Sequence, residues 1–460
     1  MNTALLNTSF LNDFLSAVAE RGRALLELRR QRGLAGEPVT ELLEALISER
    51  GEASGVAIAR EILSSWERLD SDGRERFLKT LAERFGPDAE ALERAISAYQ
   101  AEPGPKTAAA LHAASAGRRE ELIRRLNLAP GGTAALIHMR EDLLGRLRTA
   151  PELTLLDNEF EGLFTSWFNR GFLEMHRIDW STPAAILEKI IRYEAVHPIH
   201  GWDELRRRID VPDRRCYAFF HPALPDEPLI FVEVALTREI PGAITPILAQ
   251  AREIVPPQQA TTAVFYSISN CQAGLRGISF GHFLIKQVVE EIVRDLHDLK
   301  TFVTLSPVPG FAGWVARLRR DEATPLLTAE SRIALEALDD PAWSERPETV
   351  EALKKVLMPL AASYFVSARN SHNRPVDPVA RFHLGNGARL ERLNWLGDHS
   401  PKGLAQSFGL MVNYLYRPQE IETNHEAYAT QGAIAVASAI RKLAPKAPAA
   451  TETALVPMGG

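Results

Sequence analysis

Two short segments of the chain contain residue types that could carry acid–base chemistry. Ser306 opens the sequence Ser-Pro-Val-Pro-Gly-Phe directly after an apolar run, and His383 lies within Phe-His-Leu-Gly-Asn-Gly. A hydroxyl at the end of a strand can donate to a developing negative charge, and an imidazole can deliver a proton near neutral pH. Without further information, a turn or cap residue is the alternative for Ser306, and a hydrogen-bonded core histidine is the alternative for His383.

A glycine-bearing loop lies between a predicted strand and a predicted helix, which is a favourable place for binding a phosphate. The loop spans Asn270 to Gly281 and contains glycines at Gly274, Gly277 and Gly281. Glycines let the backbone present its N–H groups, and the start of the next helix adds more of them. The loop fits neither the Walker sequence nor Gly-x-Gly-x-x-Gly. With looser spacing, it resembles the pyrophosphate loop of the GNAT acetyltransferase superfamily through Arg276, Gly277 and Gly281, which implies coenzyme A as the ligand.

Other candidate constellations are disfavoured by their own residues. His197 and His200 are three positions apart across Pro198, no third ligand stands near them in the sequence, and we therefore predict no metal site. Two cysteines, Cys216 and Cys271, provide neither a disulfide framework nor a four-thiolate zinc site. Cys271 lies in the glycine loop, where we expect it to be a small packing residue.

The elements that must position these residues follow from the pattern of apolar side chains. Runs rich in β-branched and aromatic residues predict four strands, at Cys216–Phe220, Leu229–Leu236, Thr262–Ser269 and Thr301–Leu305. Helical periodicity predicts helices at about Pro183–Tyr193, Gly281–Leu299 and Glu351–Met358, followed by a closing irregular region. Strands alternating with helices indicate an α+β or α/β arrangement for this part of the chain.

The first third of the chain has a different texture. From about residue 10 to 180 apolar residues recur at helical spacing, for example in two stripes, Ile58/Ile62/Trp66/Leu69 and Leu92/Ile96/Tyr99. The arginines and glutamates between the stripes are typical of solvated helix faces. We predict an all-helical domain over residues 1–180, with a supporting or oligomerising role, and a catalytic domain over residues 181–460.

Composition excludes several classes of function. The chain has 460 residues, with 53 basic and 59 acidic side chains and a formal net charge of −6, which gives no electrostatic footprint for nucleic acid. No apolar run reaches the length that spans a bilayer, and residues 1–14 lack the basic start of a signal peptide. We expect a cytoplasmic protein that contacts neither membrane nor nucleic acid.

Several segments resemble the malonyl-CoA decarboxylase family, and the match runs from about residue 150 to 420. The matching segments are Trp167–Leu173, Tyr193–His197, Pro228–Leu236, Ser306–Phe311, Asp377–Ala388 and Met411–Tyr416. The resemblance implies an α+β chain in which an N-terminal helical bundle precedes a GNAT-like catalytic domain with a mixed sheet. It implies a bacterial-type cytoplasmic enzyme that converts malonyl-CoA to acetyl-CoA and carbon dioxide, without a metal or redox cofactor. A homo-oligomer, dimer or tetramer, is expected.

The resemblance also assigns roles to individual residues. It implies that Ser306 is a catalytic hydroxyl and that His383 is the proton donor. The substrate-binding residues it implies are Ser267, Arg276, Gly277, Ile278, Ser279, Phe280, Gly281, His282, Asn386 and Tyr416. Ser279 stands where some members of the family carry Glu, so no role for a carboxylate is carried over at that position.

Two other functions are compatible with a coenzyme A loop. A GNAT-type acyltransferase would need an acidic acceptor groove and a base for its amine substrate, and no acidic cluster is evident near the loop. A non-catalytic acyl-CoA-binding module would use the helical domain to recruit a partner. Replacing His383 distinguishes the module from the decarboxylase, because a pure binding protein has no turnover to lose.

Overall fold

The computed structural model describes residues 38–48, 52–115, 117–278, 280 and 284–444. They form two compact units. Of the described residues, the helical unit comprises those up to Glu174 and those within 220–229 and 270–280, and the sheet unit comprises those within 175–219, 230–269 and 284–444. The predicted domain division at residue 180 stays a prediction.

The helical unit is built from helices, several of which are amphipathic. They are α1 (Pro38–Ile47), α2 (Glu52–Arg68), α3 (Ser71–Arg84), α4 (Ala89–Ala101), α5 (Pro105–Ser115), α6 (Arg118–Asn127), α7 (Gly132–Arg146) and α8 (Thr154–Trp167). Ile58, Ile62 and Trp66 of the first predicted stripe lie on α2 and are buried. The second stripe does form a helix, α4, but Ile96 and Tyr99 are 39% and 37% exposed. Helical periodicity therefore identified α4 correctly, but it did not show that the apolar face of this helix is partly exposed.

The first part of the glycine loop packs against α7 within the helical unit. Gly274 lies so close to this helix that a Cβ atom built on it would be 2.0 Å from the carbonyl oxygen of Ile137. Arg140, buried on α7, donates to the carbonyl oxygens of Gly274 at 2.9 Å and Arg276 at 3.0 Å. Its Nε donates to Asp157 at 2.8 Å, so the charge is paired inside the unit. Gly274 therefore permits a close helix contact.

Replacing Gly274 with Ala is expected to destabilise the protein by about 1–3 kcal/mol, because the new methyl group must displace backbone rather than a flexible side chain. Gly145→Ala is the matched control on α7, since nothing lies within 4 Å of the added carbon. That control should be more stable by about 0.5–1 kcal/mol, the helix-propensity difference between Gly and Ala. Urea unfolding of both variants measures the two shifts, and equal shifts would contradict the close-packing account.

The sheet unit alternates strands and helices. Its elements are β1 (Glu174–Ile178), α9 (Ala184–Tyr193), α10 (Trp202–Ile209), β2 (Arg214–Phe220), β3 (Ile230–Thr237), α11 (Thr245–Leu248), β4 (Thr262–Asn270), α12 (Leu284–Asp295), β5 (Thr301–Thr304), β6 (Ser306–Pro307), α13 (Phe311–Arg320), α14 (Ala329–Glu336), α15 (Pro347–Val366), α16 (Pro378–Gly385), β7 (Arg389–Asn394), α17 (Pro401–Ser407), β8 (Met411–Tyr416), α18 (Ile421–Gln431) and α19 (Ser438–Leu443). The predicted α+β chain, with helices first and a mixed sheet after them, is confirmed, and so are the four predicted strands. Across the described residues, none of the helices is long and apolar enough to cross a membrane.

The prediction of a closing irregular region is wrong. The helix expected to end at Met358 continues to Val366, and α16, β7 and β8 follow it. The polar sequence of β7 gives no sign of a strand. The strand forms because its backbone pairs with β8 from Arg389↔Leu415 to Asn394↔Met411. Strand β8 is only six residues long and is buried throughout. Apolar periodicity does not identify a short strand that is covered on both faces.

The strand order of the sheet is β1-β2-β3-β4-β5-β8-β6, and β7 also pairs with β8. Strands β4 and β5 are parallel, and their last pair in register is Phe265↔Thr304. From there β4 continues to Asn270, whereas the chain after β5 turns to β8, so that Ser306 is opposite Val412. The two parallel strands thus part at their carboxyl ends, where loops and side chains of α/β proteins commonly form binding sites.

Candidate active site

A buried imidazole contacts a hydroxyl through each of its ring nitrogens. His383 Nε2 lies 3.2 Å from Ser306 Oγ, and His383 Nδ1 lies 2.8 Å from the Tyr416 hydroxyl. The three residues are 3%, 6% and 2% exposed, respectively. The structure therefore brings together three of the residues singled out from the sequence, although they come from three different elements.

The position of His383 is set by a short capped helix. Asp377 caps α16 by accepting the N–H of Ala380 at 2.8 Å, and Pro378 occupies the first turn, where a missing N–H costs nothing. His383 is in the last turn, and its ring stacks on Tyr414 with a centroid distance of 4.6 Å and an interplanar angle of 25°. The ring is thus held by packing on one face and by hydrogen bonds at both nitrogens.

The position of Ser306 is set by the sheet. Ser306 pairs with Val412 of β8, and Pro307 pairs with Met411. The carbonyl of Thr304, two residues earlier, accepts a hydrogen bond of 2.8 Å from the Asn413 side chain, which fixes the chain where it leaves β5. Ser306 donates its own hydroxyl proton to Thr304 Oγ1 over 2.9 Å. The serine side chain is therefore oriented by two strands.

Burial determines the charge state of this cluster. It lowers the pKa of the His383 imidazole from its ordinary 6.5 to about 3, because the charged form loses its solvation. Burial also raises the pKa of the Tyr416 phenol well above its ordinary value. At neutral pH the free site therefore contains a neutral imidazole and a neutral phenol.

The lowered pKa of His383 predicts an acid-sensitive contribution to stability. An unfolded His383 takes up a proton below about pH 6.5 while the folded one stays neutral to about pH 3, so the free energy of unfolding falls as the pH falls through that window. Between pH 6.5 and 4.5 the loss from this side chain should be about 2 kcal/mol. Urea unfolding of the wild type and His383→Gln at both pH values isolates it, because the variant should lose less stability by that amount. Identical losses in the two proteins would contradict the assignment.

A second hydroxyl cluster surrounds a carboxylate that sequence reasoning did not single out. Glu194 follows α9 directly, is buried, and accepts from Ser267 Oγ at 2.7 Å and Ser269 Oγ at 3.3 Å. Its other oxygen accepts the N–H groups of Val196 and His197, both at 2.8 Å. Ser267 is thus placed at the carboxyl end of β4 beside a fixed negative group. The available signal was an acidic residue in the family-like segment Tyr193–His197.

The glycine loop is described in part. Arg276 and Gly277 are exposed, and Gly277 has a φ of +89°, a conformation that favours glycine. Ile278 and Phe280 are buried, each 7% exposed, and their predicted substrate-binding role stays a prediction. Three further predicted binding residues lie outside the described residues, namely Ser279, Gly281 and His282. Gly281 is also the predicted start of the next helix, so that start is not described either.

Asn386 occupies the end of α16. Its side-chain amide donates to the carbonyl oxygen of Phe382 at 2.7 Å, so it closes the last turn of the helix that carries His383. The following residue, Gly387, has a φ of +79°, and a Cβ atom there would be 2.1 Å from the carbonyl oxygen of Ile421. This turn fixes the end of α16, and the substrate-binding role predicted for Asn386 stays a prediction.

A buried imidazole between two hydroxyls on a mixed sheet is an arrangement that is suited to an acid–base enzyme. Family models for the malonyl-CoA decarboxylase C-terminal and N-terminal domains match residues 171–454 and 85–168. The chain belongs to the malonyl-CoA decarboxylase family and is a carboxy-lyase.

Relatives of known name agree with this assignment. The mitochondrial malonyl-CoA decarboxylase of Anser anser anser is 34% identical over 446 residues, which cover 90% of this chain and 87% of the relative. The crystal structure of malonyl-CoA decarboxylase from Rhodopseudomonas palustris is 59% identical, with a TM-score of 0.87, and the match covers 89% of this chain and 100% of that one. The corresponding structure from Agrobacterium vitis is 58% identical with a TM-score of 0.84, at the same coverage of both chains.

Proposed function

We propose that this chain converts malonyl-CoA to acetyl-CoA and carbon dioxide by stabilising an enolate with Ser306 and returning a proton from His383. Membership of the malonyl-CoA decarboxylase family supports the reaction. The observation that carries the assignment of roles is the contact of 3.2 Å between Ser306 Oγ and His383 Nε2. This contact supports the proposal, because the chemistry requires a hydrogen-bond donor and a proton donor close together.

The reaction breaks one carbon–carbon bond. Carbon dioxide leaves, and the electron pair of the broken bond delocalises from the α-carbon onto the thioester oxygen as an enolate. Ser306 would donate a hydrogen bond to that oxygen, where the negative charge develops. Because the thioester itself accepts the electrons, we propose that no redox cofactor or metal is required and that coenzyme A acts only as part of the substrate.

A proton must then reach the α-carbon. The free imidazole is neutral, but the malonyl carboxylate is an anion, and an anion beside an imidazole raises the pKa of the ring. Substrate binding would therefore charge His383, and the imidazolium would give its proton to the α-carbon. The net reaction consumes one proton, which matches one proton taken up by the site from solvent in each turnover.

The cluster formed by Glu194, Ser267 and Ser269 is suited to a supporting role. Ser267 and Ser269 both contact Glu194, so their hydroxyl oxygens are held at the end of β4, where β4 has parted from β5. We propose that Ser267 contacts the substrate there while Glu194 keeps its hydroxyl oriented. In the exposed part of the loop, the backbone N–H of Gly277 would donate to the pyrophosphate of coenzyme A, and the Arg276 side chain would pair with it.

The direct test is to mix the purified protein with malonyl-CoA and follow acetyl-CoA by chromatography and carbon dioxide by isotope release. Assays with and without a chelator address the proposal that no metal is required. We expect acetyl-CoA and carbon dioxide in equal amounts at the same rate in both assays. Binding of malonyl-CoA without product would overturn the decarboxylase function in favour of a binding module. Transfer of an acyl group to an added amine, without carbon dioxide, would identify an acyltransferase.

A further inference from the structure

Thr304 ends β5 two residues before Ser306, and the hydroxyl oxygen of Thr304 accepts two hydrogen bonds. The residue is 0% exposed. Its Oγ1 accepts the hydroxyl proton of Ser306 at 2.9 Å and the backbone N–H of Tyr414 at 3.1 Å. The Tyr414 N–H can only donate and occupies one lone pair of Thr304 Oγ1, and the hydroxyl of Ser306 donates to the other.

This acceptor determines where the other protons of the cluster lie. Since the proton of Ser306 is directed to Thr304, Ser306 Oγ faces His383 with a lone pair. The nitrogen that contacts it, Nε2, must then carry the imidazole proton. A neutral imidazole has one N–H, so Nδ1 is an acceptor, and the Tyr416 hydroxyl donates to it over 2.8 Å.

The hydrogen bonds therefore run in one direction, from Tyr416 through His383 and Ser306 to Thr304. The opposite direction would place the imidazole proton on Nδ1, facing Tyr416. Only the first direction places a proton on the ring nitrogen that faces the serine. Thr304 ends this series, and the bond from the backbone N–H of Tyr414 in β8 holds its Oγ1 in place to accept the proton of Ser306.

We propose that Thr304 is a positioning residue that keeps His383 in the tautomer with its proton on Nε2. It acts through Ser306 rather than on the substrate. The effect on turnover rests on the proposed function, because the proton on His383 Nε2 matters for turnover only if His383 protonates the α-carbon. The effect on the tautomer is independent of any activity.

The experiment compares Thr304→Val, which keeps the shape and removes the hydroxyl, with Thr304→Ser, which keeps the hydroxyl. Each protein is labelled with ¹⁵N at histidine only, and the ring nitrogen signals of the free enzyme are recorded at pH 7. The chain has 12 histidines, so the spectrum of His383→Gln identifies the signals of His383 by difference. The kcat and KM for malonyl-CoA are measured on the same preparations, and thermal unfolding verifies that each variant is folded.

In the wild type and Thr304→Ser we expect the protonated signal at Nε2. In Thr304→Val, Ser306 loses its acceptor and turns to donate to Nε2, so the protonated signal should move to Nδ1. The kcat of Thr304→Val should fall about 10-fold with KM changed less than about threefold, whereas Thr304→Ser should stay within about threefold in both.

The proposal is overturned if the wild type carries the proton on Nδ1, or if Thr304→Val leaves the tautomer unchanged. A changed tautomer with unchanged kcat overturns the link to turnover. Should Thr304→Val fail to fold because the Tyr414 N–H loses its acceptor, Thr304→Cys keeps the volume with a much weaker acceptor and takes its place. If the wild type makes no acetyl-CoA, the proposed function fails, but the nitrogen signals still decide whether Thr304 sets the tautomer.

Discussion

Replacing His383 with Gln is expected to reduce the kcat for acetyl-CoA formation by about 10²- to 10⁴-fold, the range associated with losing a general acid. Gln is close to His in size and can still form one hydrogen bond, but it cannot deliver a proton. The affinity for malonyl-CoA should change less than about threefold, because the lost interaction acts in the transition state. Single-turnover acetyl-CoA formation and equilibrium binding of malonyl-CoA measure the two quantities separately.

A matched control is available in the same unit. His372 is exposed in a turn, so His372→Gln makes the same chemical change away from the buried cluster and should keep the wild-type kcat. The pattern that contradicts the assignment is a His383→Gln protein that is folded and turns over within threefold of the wild type. Loss of binding together with turnover would instead assign His383 to holding the substrate.

The part of the fold that local pattern determines could be predicted from the sequence. Strands β2 to β5 are rich in residues typical of strands and are bounded by turn residues, and all four were found within two residues of their expected limits. Helix α9 was likewise predicted at its observed position. These elements can be predicted because the pattern of apolar side chains within each one indicates which of its faces are buried.

The second half of the sheet could not be predicted in this way. Strand β7 has the sequence Arg-Leu-Glu-Arg-Leu-Asn, and its strand character comes from pairing with β8 rather than from its composition. In β8, Asn413 interrupts an apolar run, and its amide is used to hold the Thr304 carbonyl and the Asn394 side chain. Tertiary hydrogen bonding decides these segments, and single-sequence periodicity does not contain it.

The candidate site shows the same limit. Ser306 and His383 are 77 residues apart, and His383 and Tyr416 are 33 apart. Each was singled out by its motif and by family resemblance, but their contact depends on the register of β8 against β5 and β6. Thr304 and Glu194 were missed because a threonine in a strand and a glutamate after a helix carry no signal until their partners are known.

Replacing Ser306 with Ala is expected to reduce kcat by about 10²- to 10³-fold, the cost of removing one donor to a developing oxyanion. Ser407→Ala is the matched control, because Ser407 is also buried in the sheet unit but donates to the carbonyl oxygens of Gly403 and Leu410. The control should lose about 1 kcal/mol of stability and keep its kcat. Similar kcat values for the two variants would contradict a catalytic role for Ser306.

The double variant Ser306→Ala/His383→Gln tests whether the two side chains work as one unit. If the contact between Ser306 and His383 keeps both side chains in position, each single change already disturbs the site in which the other acts, and the effects are not additive. The kcat of the double variant should then be no more than about 10-fold below the kcat of the less active single variant. A loss equal to the product of the single effects would mean that the serine and the histidine contribute independently. Since Ser306 and His383 are 3.2 Å apart in the free site, we expect the non-additive result.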